Sequence, residues 1–202
     1  ILFTGDLVNN DPQEINPYID TFRKLKADKG VYSVSGNHDY HYLSKGNETY
    51  DLLKDKHEAL GFKMLNNESI IFEKEGEQIT VAGVENWGVP PFPQFGNLDV
   101  ALAKTTDFVV LMSHDPSHWD EEIKQYPKKV HLTLSGHTHG MQFGIDWSFF
   151  KWSPVQFKYP KWIDLYEEFD QYLYVNRGFG FIGYPGRVGV RPEVTVIVLK
   201  KK

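Results

Sequence analysis

Hydrophobic and polar positions divide the chain into short alternating blocks. Ile1-Leu2-Phe3-Thr4 opens as a buried strand that runs into Gly5-Asp6. Over residues 12–28, Ile15, Ile19, Phe22 and Leu25 recur at helical spacing behind an Asp-Pro start, which predicts a helix. A second strand is expected over 31–34, a helix over 48–60 ending at Gly61, and a hairpin over 66–73 and 78–84 around Glu75-Gly76-Glu77. Residues 86–97 read as a Pro/Gly loop, 98–105 as a short helix, and Phe108 to Met112 as a buried strand. A short helix, a strand over 130–135, an irregular aromatic stretch over 140–170 and strands over 172–175 and 193–199 complete the pattern. No repeat or linker-like segment interrupts it. The blocks predict one α/β domain over 1–202, with helices outside packed sheets.

Four of the predicted strands end in small-residue turns that carry metal-competent groups. These turns are Gly5-Asp6, Gly36-Asn37-His38-Asp39, Ser113-His114 and Gly136-His137-Thr138-His139. In open α/β sheets, ligands converge beyond the carboxyl ends of strands. Glycine lets the backbone turn sharply and aim the neighbouring side chain. Asp6 offers two oxygens that can bridge cations, Asn37 a neutral carbonyl oxygen, and His114, His137 and His139 imidazole nitrogens. Such mixed O/N donors suit Mn, Fe or Zn better than Ca. Each turn alone reads as an ordinary loop; four in this order, each after a strand, do not.

Composition narrows the chemistry. There is no cysteine, so thiolate sites and disulfides are excluded. A net charge of −5 gives no global attraction to a polyphosphate backbone, which argues against nucleic acid as partner. No apolar run approaches the roughly 20 residues that span a bilayer.

The series Gly-Asp, Gly-Asn-His-Asp, a later His and Gly-His-Thr-His resembles the motifs of the calcineurin-like metallophosphoesterase superfamily, over nearly the whole chain. The ending "YLYVNRGFGFIGYPGRVGVRPEVTVIVLK" resembles the bacterial, often membrane-linked YkuE/YaeI-like branch. The resemblance implies a four-layer α/β/β/α sandwich with two divalent metals (Mn, Fe, Zn or Mg) at one edge. It implies that Asp6 bridges them, that Asn37, His114 and His137 complete one site, and that His139 serves the other. His38 would be the acid facing substrate, oriented by Asp39. A metal-bridging hydroxide would then hydrolyse a phosphomonoester, phosphodiester or pyrophosphate. The family also opens with an Asp-x-His at the end of its first strand, which this chain lacks. The expectation is therefore a sandwich missing its first strand and helix, one metal or none, and impaired turnover. A membrane-linking N-terminal segment is expected with it. Asp39-Tyr40-His41 and Asp55-Lys56-His57 are rejected as replacements, since neither follows an apolar strand. Alternatives are a lipid-linked pyrophosphatase at a membrane surface, a nuclease of the same superfamily, disfavoured by charge, and a non-catalytic binding domain.

The remaining conspicuous residues read more plainly. His118 is expected at the solvated surface, with a chelating pair with His114, four residues earlier, as the alternative; His57 is expected to be solvated, His131 on a strand's polar side, and His41 close to the site by sequence, with substrate contact as its lesser reading. Arg187 and Arg191 flank a Gly-rich loop where they would serve either as a phosphate clamp or as surface charges. The segment 146–162 interleaves Trp147, Phe149, Phe150, Trp152, Phe157, Tyr159 and Trp162 with Lys151, Lys158 and Lys161. Such a mixture suits either a packed underside or a peripheral membrane contact beside the site.

Overall fold

The computed structural model describes residues 1–40 and 48–200, with side chains of the second block from Tyr50 onward. His41 lies outside the described residues. Strands β1 (Leu2–Phe3), β2 (Val31–Ser33) and β3 (Phe62–Met64) form a parallel three-stranded sheet in that order. The second sheet has six strands: β4 (Glu68–Lys74), β5 (Glu77–Gly83), β6 (Val109–Met112), β7 (Leu132–Ser135), β10 (Asp164–Glu168) and β11 (Gln171–Val175). Their spatial order is β10-β11-β7-β6-β5-β4. The inner four are parallel, and β4 and β10 close the edges antiparallel. Between β7 and β10, β8 (Ile145–Trp147) and β9 (Phe150–Trp152) make a separate hairpin.

Strand alternation builds the layers. In β6, Val109 and Leu111 face one cluster with Leu98, Ala101 and Leu102 of α3 (Leu98–Ala101) and its end, and Trp119 of α4 (Ser117–Glu121). Val110 and Met112 face the opposite way, where Tyr32, Val34 and Leu65 from the first sheet meet Val81 and Leu132 from the second. A third cluster packs Leu53 and Leu60 of α2 (Glu48–Leu60) and Ile15 against Val31 and Phe62 on the outside of the small sheet, partly covered by Ile19 and Phe22 of α1 (Ile19–Phe22). The result is the four-layer α/β/β/α arrangement. A strand buried on both faces reads as a continuous apolar run, as "FVVLM" does.

Several expectations are corrected. Residues 12–28 form a 3-10 turn, Pro12–Tyr18, followed by only four α-helical residues. Pro17 removes a backbone donor inside that stretch and limits the helix. Residues 193–199 join no ladder among the described residues, and Val194 and Val196 stand 82% and 86% exposed. Their alternation is strand-like, but a strand also needs an edge to pair with. His118 is buried rather than solvated. Its ring stacks on Trp87 at 4.7 Å, and its Nδ1 lies 2.9 Å from Ser113 Oγ. His57 is also buried, with Nδ1 2.9 Å from Ser33 Oγ, against the Phe62 ring. Helix α2 turns that position inward even though its neighbours Lys54 and Glu58 face water.

Burial alone pushes the His57 imidazole down to about 4. Unfolding frees it to bind a proton near its ordinary value of about 6.5. Its contribution is therefore complete above about pH 6.5 and is lost as pH falls toward 4, to a total of about 3 kcal/mol. Denaturant unfolding in EDTA at pH 7 and pH 4.5 should show a smaller acid loss for His57→Leu than for wild type. Equal losses would show that His57 does not carry this acid sensitivity.

Candidate functional site

Two strands from each sheet deliver the polar turns to one edge. Asp6 follows β1, the Gly36–Asp39 turn follows β2, His114 follows β6, and His137 to His139 follow β7. Three of these residues have left-handed backbones: Asp6 at φ 55°, His137 at 65° and His139 at 51°. Such angles are uncommon outside glycine and concentrate where function demands them. The glycine fences have a steric cause. A Cβ on Gly36 would lie 2.2 Å from Asp6 Oδ1, and one on Gly5 would lie 2.7 Å from His114 Nδ1. Any side chain there would push the two functional groups apart.

Asp6, His114 and His137 each present a donor atom within 4.8 Å of the others. Asp6 Oδ2 and His114 Nε2 stand 3.0 Å apart as a buried ion pair, and neither atom has a further partner. The other side of the His114 ring is committed, with Nδ1 2.7 Å from the Thr4 carbonyl. Nδ1 therefore carries a proton and donates it, and Nε2 faces the Asp6 carboxylate. In the ion-free protein a proton on Nε2 satisfies the pair, and a divalent cation bound between the two atoms would take that proton's place. His137 Nδ1 lies 2.7 Å from Asn37 Oδ1. Behind it, His137 Nε2 is 2.7 Å from Tyr159 Oη and 3.6 Å from Asp115 Oδ2, so Nδ1 is the nitrogen turned toward the site. His139 stands at the edge of the cluster with its buried Nδ1 unpartnered.

The electrostatics separate the three histidines. Burial, reinforced by the nearby His114 charge, holds His137 and His139 down at about 4, so both rings are neutral at neutral pH. Burial alone would lower His114, but the Asp6 carboxylate beside it raises it to about 9. Burial would raise Asp6, and the surrounding histidines, His114 above all, instead hold it well below the usual carboxylate range.

Asp39 binds the backbone. Its Oδ2 accepts the backbone N–H of Asp6 at 3.0 Å and of Gly36 at 2.8 Å, and its Oδ1 that of Leu7 at 3.1 Å. It ties the loop after β1 to the loop after β2. The His38 ring is held instead at Nδ1, 2.8 Å from the Asn9 carbonyl, and the His38 backbone N–H donates to Asp6 Oδ1 at 2.9 Å. Arg187 is likewise internal. Its guanidinium donates to the carbonyls of His139, Arg177 and Gly180. Residues 139–142 all have φ between 51° and 55°, a left-handed turn that Gln142 secures. The buried Gln142 amide donates to Tyr184 O and Gly186 O and accepts from Ile182 N. Tyr159, Asp115 and Gln142 carry no motif signal. Only Asp115, directly after His114, offered a clue by position.

Comparison with known proteins agrees with this geometry. The profile of the calcineurin-like phosphoesterases matches residues 1–141. The uncharacterized metallophosphoesterase YkuE of Bacillus subtilis is 31% identical, over 99% of this chain and 67% of its own length. YkoQ of the same organism is 30% identical, over 96% of this chain and 70% of its own. A zebrafish (Danio rerio) "transmembrane protein with metallophosphoesterase domain" is 28% identical over all of this chain, which spans only 46% of that protein. Among solved structures, the NAD nucleotidase of Haemophilus influenzae superposes with a TM-score of 0.52 at 14% identity, covering 87% of this chain and 40% of that one, a likeness of fold alone. With the family profile matched over most of its length, and a relative above 30% identity aligned along nearly all of it, this chain belongs to the calcineurin-like phosphoesterases.

Proposed function

We propose that the chain binds a divalent ion through Asp6, Asn37, His114 and His137 and serves metal-dependent hydrolysis of a phosphate ester. The observation that carries this reading is the convergence of Asp6, His114 and His137, whose donor atoms all lie within 4.8 Å of one another. When bound, a divalent ion supplies Lewis acidity that lowers the pKa of water and offsets charge on phosphate oxygens. The chain's own residues do the positioning. Thr4 orients the His114 ring, Tyr159 orients that of His137, and Asp39 locks the loops that carry Asp6 and Asn37. With Nδ1–H given to Asn9 O, the His38 ring is set to hand a proton to a leaving oxygen from Nε2. His139 is the donor proposed for a second ion. Among the described residues it joins no group of three converging His, Asp or Glu ligands. We therefore assign one firmly held ion to this 202-residue chain by itself.

Titration calorimetry with Mn2+ on this chain should give one tight ion. His114→Ala should weaken its binding at least tenfold, and His38→Ala should leave it unchanged. His38→Ala should also lower turnover of a phosphodiester by about 100- to 10,000-fold. Metal depletion in His38→Ala would make that residue a ligand, and full affinity in His114→Ala would remove the proposed site.

A second reading concerns where the site works. The aromatic segment divides. Tyr159 and Trp162 are buried in a small cluster with Ile163. Trp147, Phe149 and Phe150 crowd the tip of the β8–β9 hairpin, 57%, 83% and 47% exposed. Not all the lysines face outward: Lys151 pairs with Asp164, and Lys161 with Asp120 and Glu168. No helix among the described residues is long and apolar enough to cross a membrane. The exposed ring cluster, together with the zebrafish relative's name, supports peripheral contact of this tip with a membrane surface. Sedimentation with liposomes should carry down wild type and release Phe149→Ser/Phe150→Ser. Equal binding would reject the contact.

A further inference from the structure

A cavity of about 420 Å3 opens directly beside His137 and His139. Its walls are Met141, Phe143, Ile182, Tyr184 and Val188, each exposed, from 36% to 61%, in the unliganded protein. We propose that this cavity holds the single acyl or alkyl chain of a phosphate-ester substrate whose phosphate lies at the Asp6–His114–His137 cluster. This rests on the hydrolase reading above and names the substrate class for that site.

Three observations argue for it. The first is shape. The volume falls in the range of small-molecule sites, and the cavity is concave, unlike the convex hairpin tip. The second is rigidity. Val188 N donates to Gln142 O at 2.7 Å, Gly144 N donates to Val188 O at 2.9 Å, and the Gln142 amide makes three bonds to the 182–186 loop. The walls are therefore joined to each other before any ligand arrives. The third is polarity. A base or a sugar needs donors and acceptors that read its edges. Both neutral polar side chains lining this cavity other than Tyr184 are already engaged. Gln142 is engaged as described, and Thr138 Oγ1 donates to Trp162 O and accepts from Gly140 N. What the cavity offers next to the histidines is apolar surface, which selects a hydrocarbon chain.

The test uses n-alkyl phosphonates of four, six, eight and ten carbons, which cannot be hydrolysed. They are titrated calorimetrically below their aggregation concentrations, with and without Mn2+. Each buried methylene is worth about fourfold in affinity. Affinity should therefore climb severalfold per added methylene in wild type, with or without metal. Val188→Glu should flatten the climb by placing charge in the cavity. Val188→Trp should flatten it by filling the space while keeping it apolar, so loss of fold in one variant leaves the other decisive. Phe149→Ser, at the hairpin tip, should leave the climb intact. Affinity independent of chain length overturns the proposal. So does a climb that survives both Val188 variants, or binding that appears only above aggregation. Metal binding that persists with a flat chain-length series overturns the acyl site alone. A climb without metal binding overturns the metal-site reading alone.

Discussion

The Asp39 carboxylate holds the site together. Its three backbone hydrogen bonds join Asp6 and Leu7, after β1, to Gly36, after β2. Without that tie, Asp6 would be a left-handed residue on a short loop, free to relax toward ordinary geometry. With it, the Asp6 carboxylate is fixed against His114 from the other sheet. The acid in Gly-Asn-His-Asp thus serves the backbone. Because the tie and the donor atoms share the same few residues, the loop conformation and the donor geometry depend on each other.

The same economy runs through the second sheet. β6 and β7 are parallel neighbours, and their ends are cross-bonded: Ser113 N donates to Leu134 O at 3.0 Å and Gly136 N to His114 O at 2.9 Å. His114 and His137 are thereby set side by side, with ring centroids 5.2 Å apart. The four layers matter to the chemistry because two sheets with their strand ends at a common edge supply donors from four strands. A single sheet would offer fewer such ends, and farther apart.

Much of this was legible in the chain, because periodicity and punctuation carry it. The hairpin around Glu75-Gly76, helix α2 and the buried run before His114 follow from local patterns, and the Gly-flanked ligands announced their loops. What was not legible depends on contacts between distant segments. Nothing near His57 or His118 says that their helices turn these rings inward. Tyr159 lies 22 residues from His137 and bonds to it only because the aromatic stretch folds back. Residues 193–199 alternate like a strand, yet no edge receives them among the described residues. The backbone roles of Asp39 and Arg187 were hidden for a related reason. A charged side chain beside a motif suggests chemistry, whereas here both satisfy backbone groups.

The central claim is that Asp6, Asn37, His114 and His137 surround a cation. Anomalous diffraction from crystals grown with Mn2+, recorded on both sides of the manganese absorption edge, tests it most directly. The account predicts a manganese peak between Asp6 Oδ2 and His114 Nε2, about 2.0–2.2 Å from each, a typical bond length for N and O donors. It also predicts that Asn37 and the His137 ring complete the shell. A structure with manganese absent from this cluster, or bound elsewhere while Asp6 and His114 keep their direct contact, would contradict it.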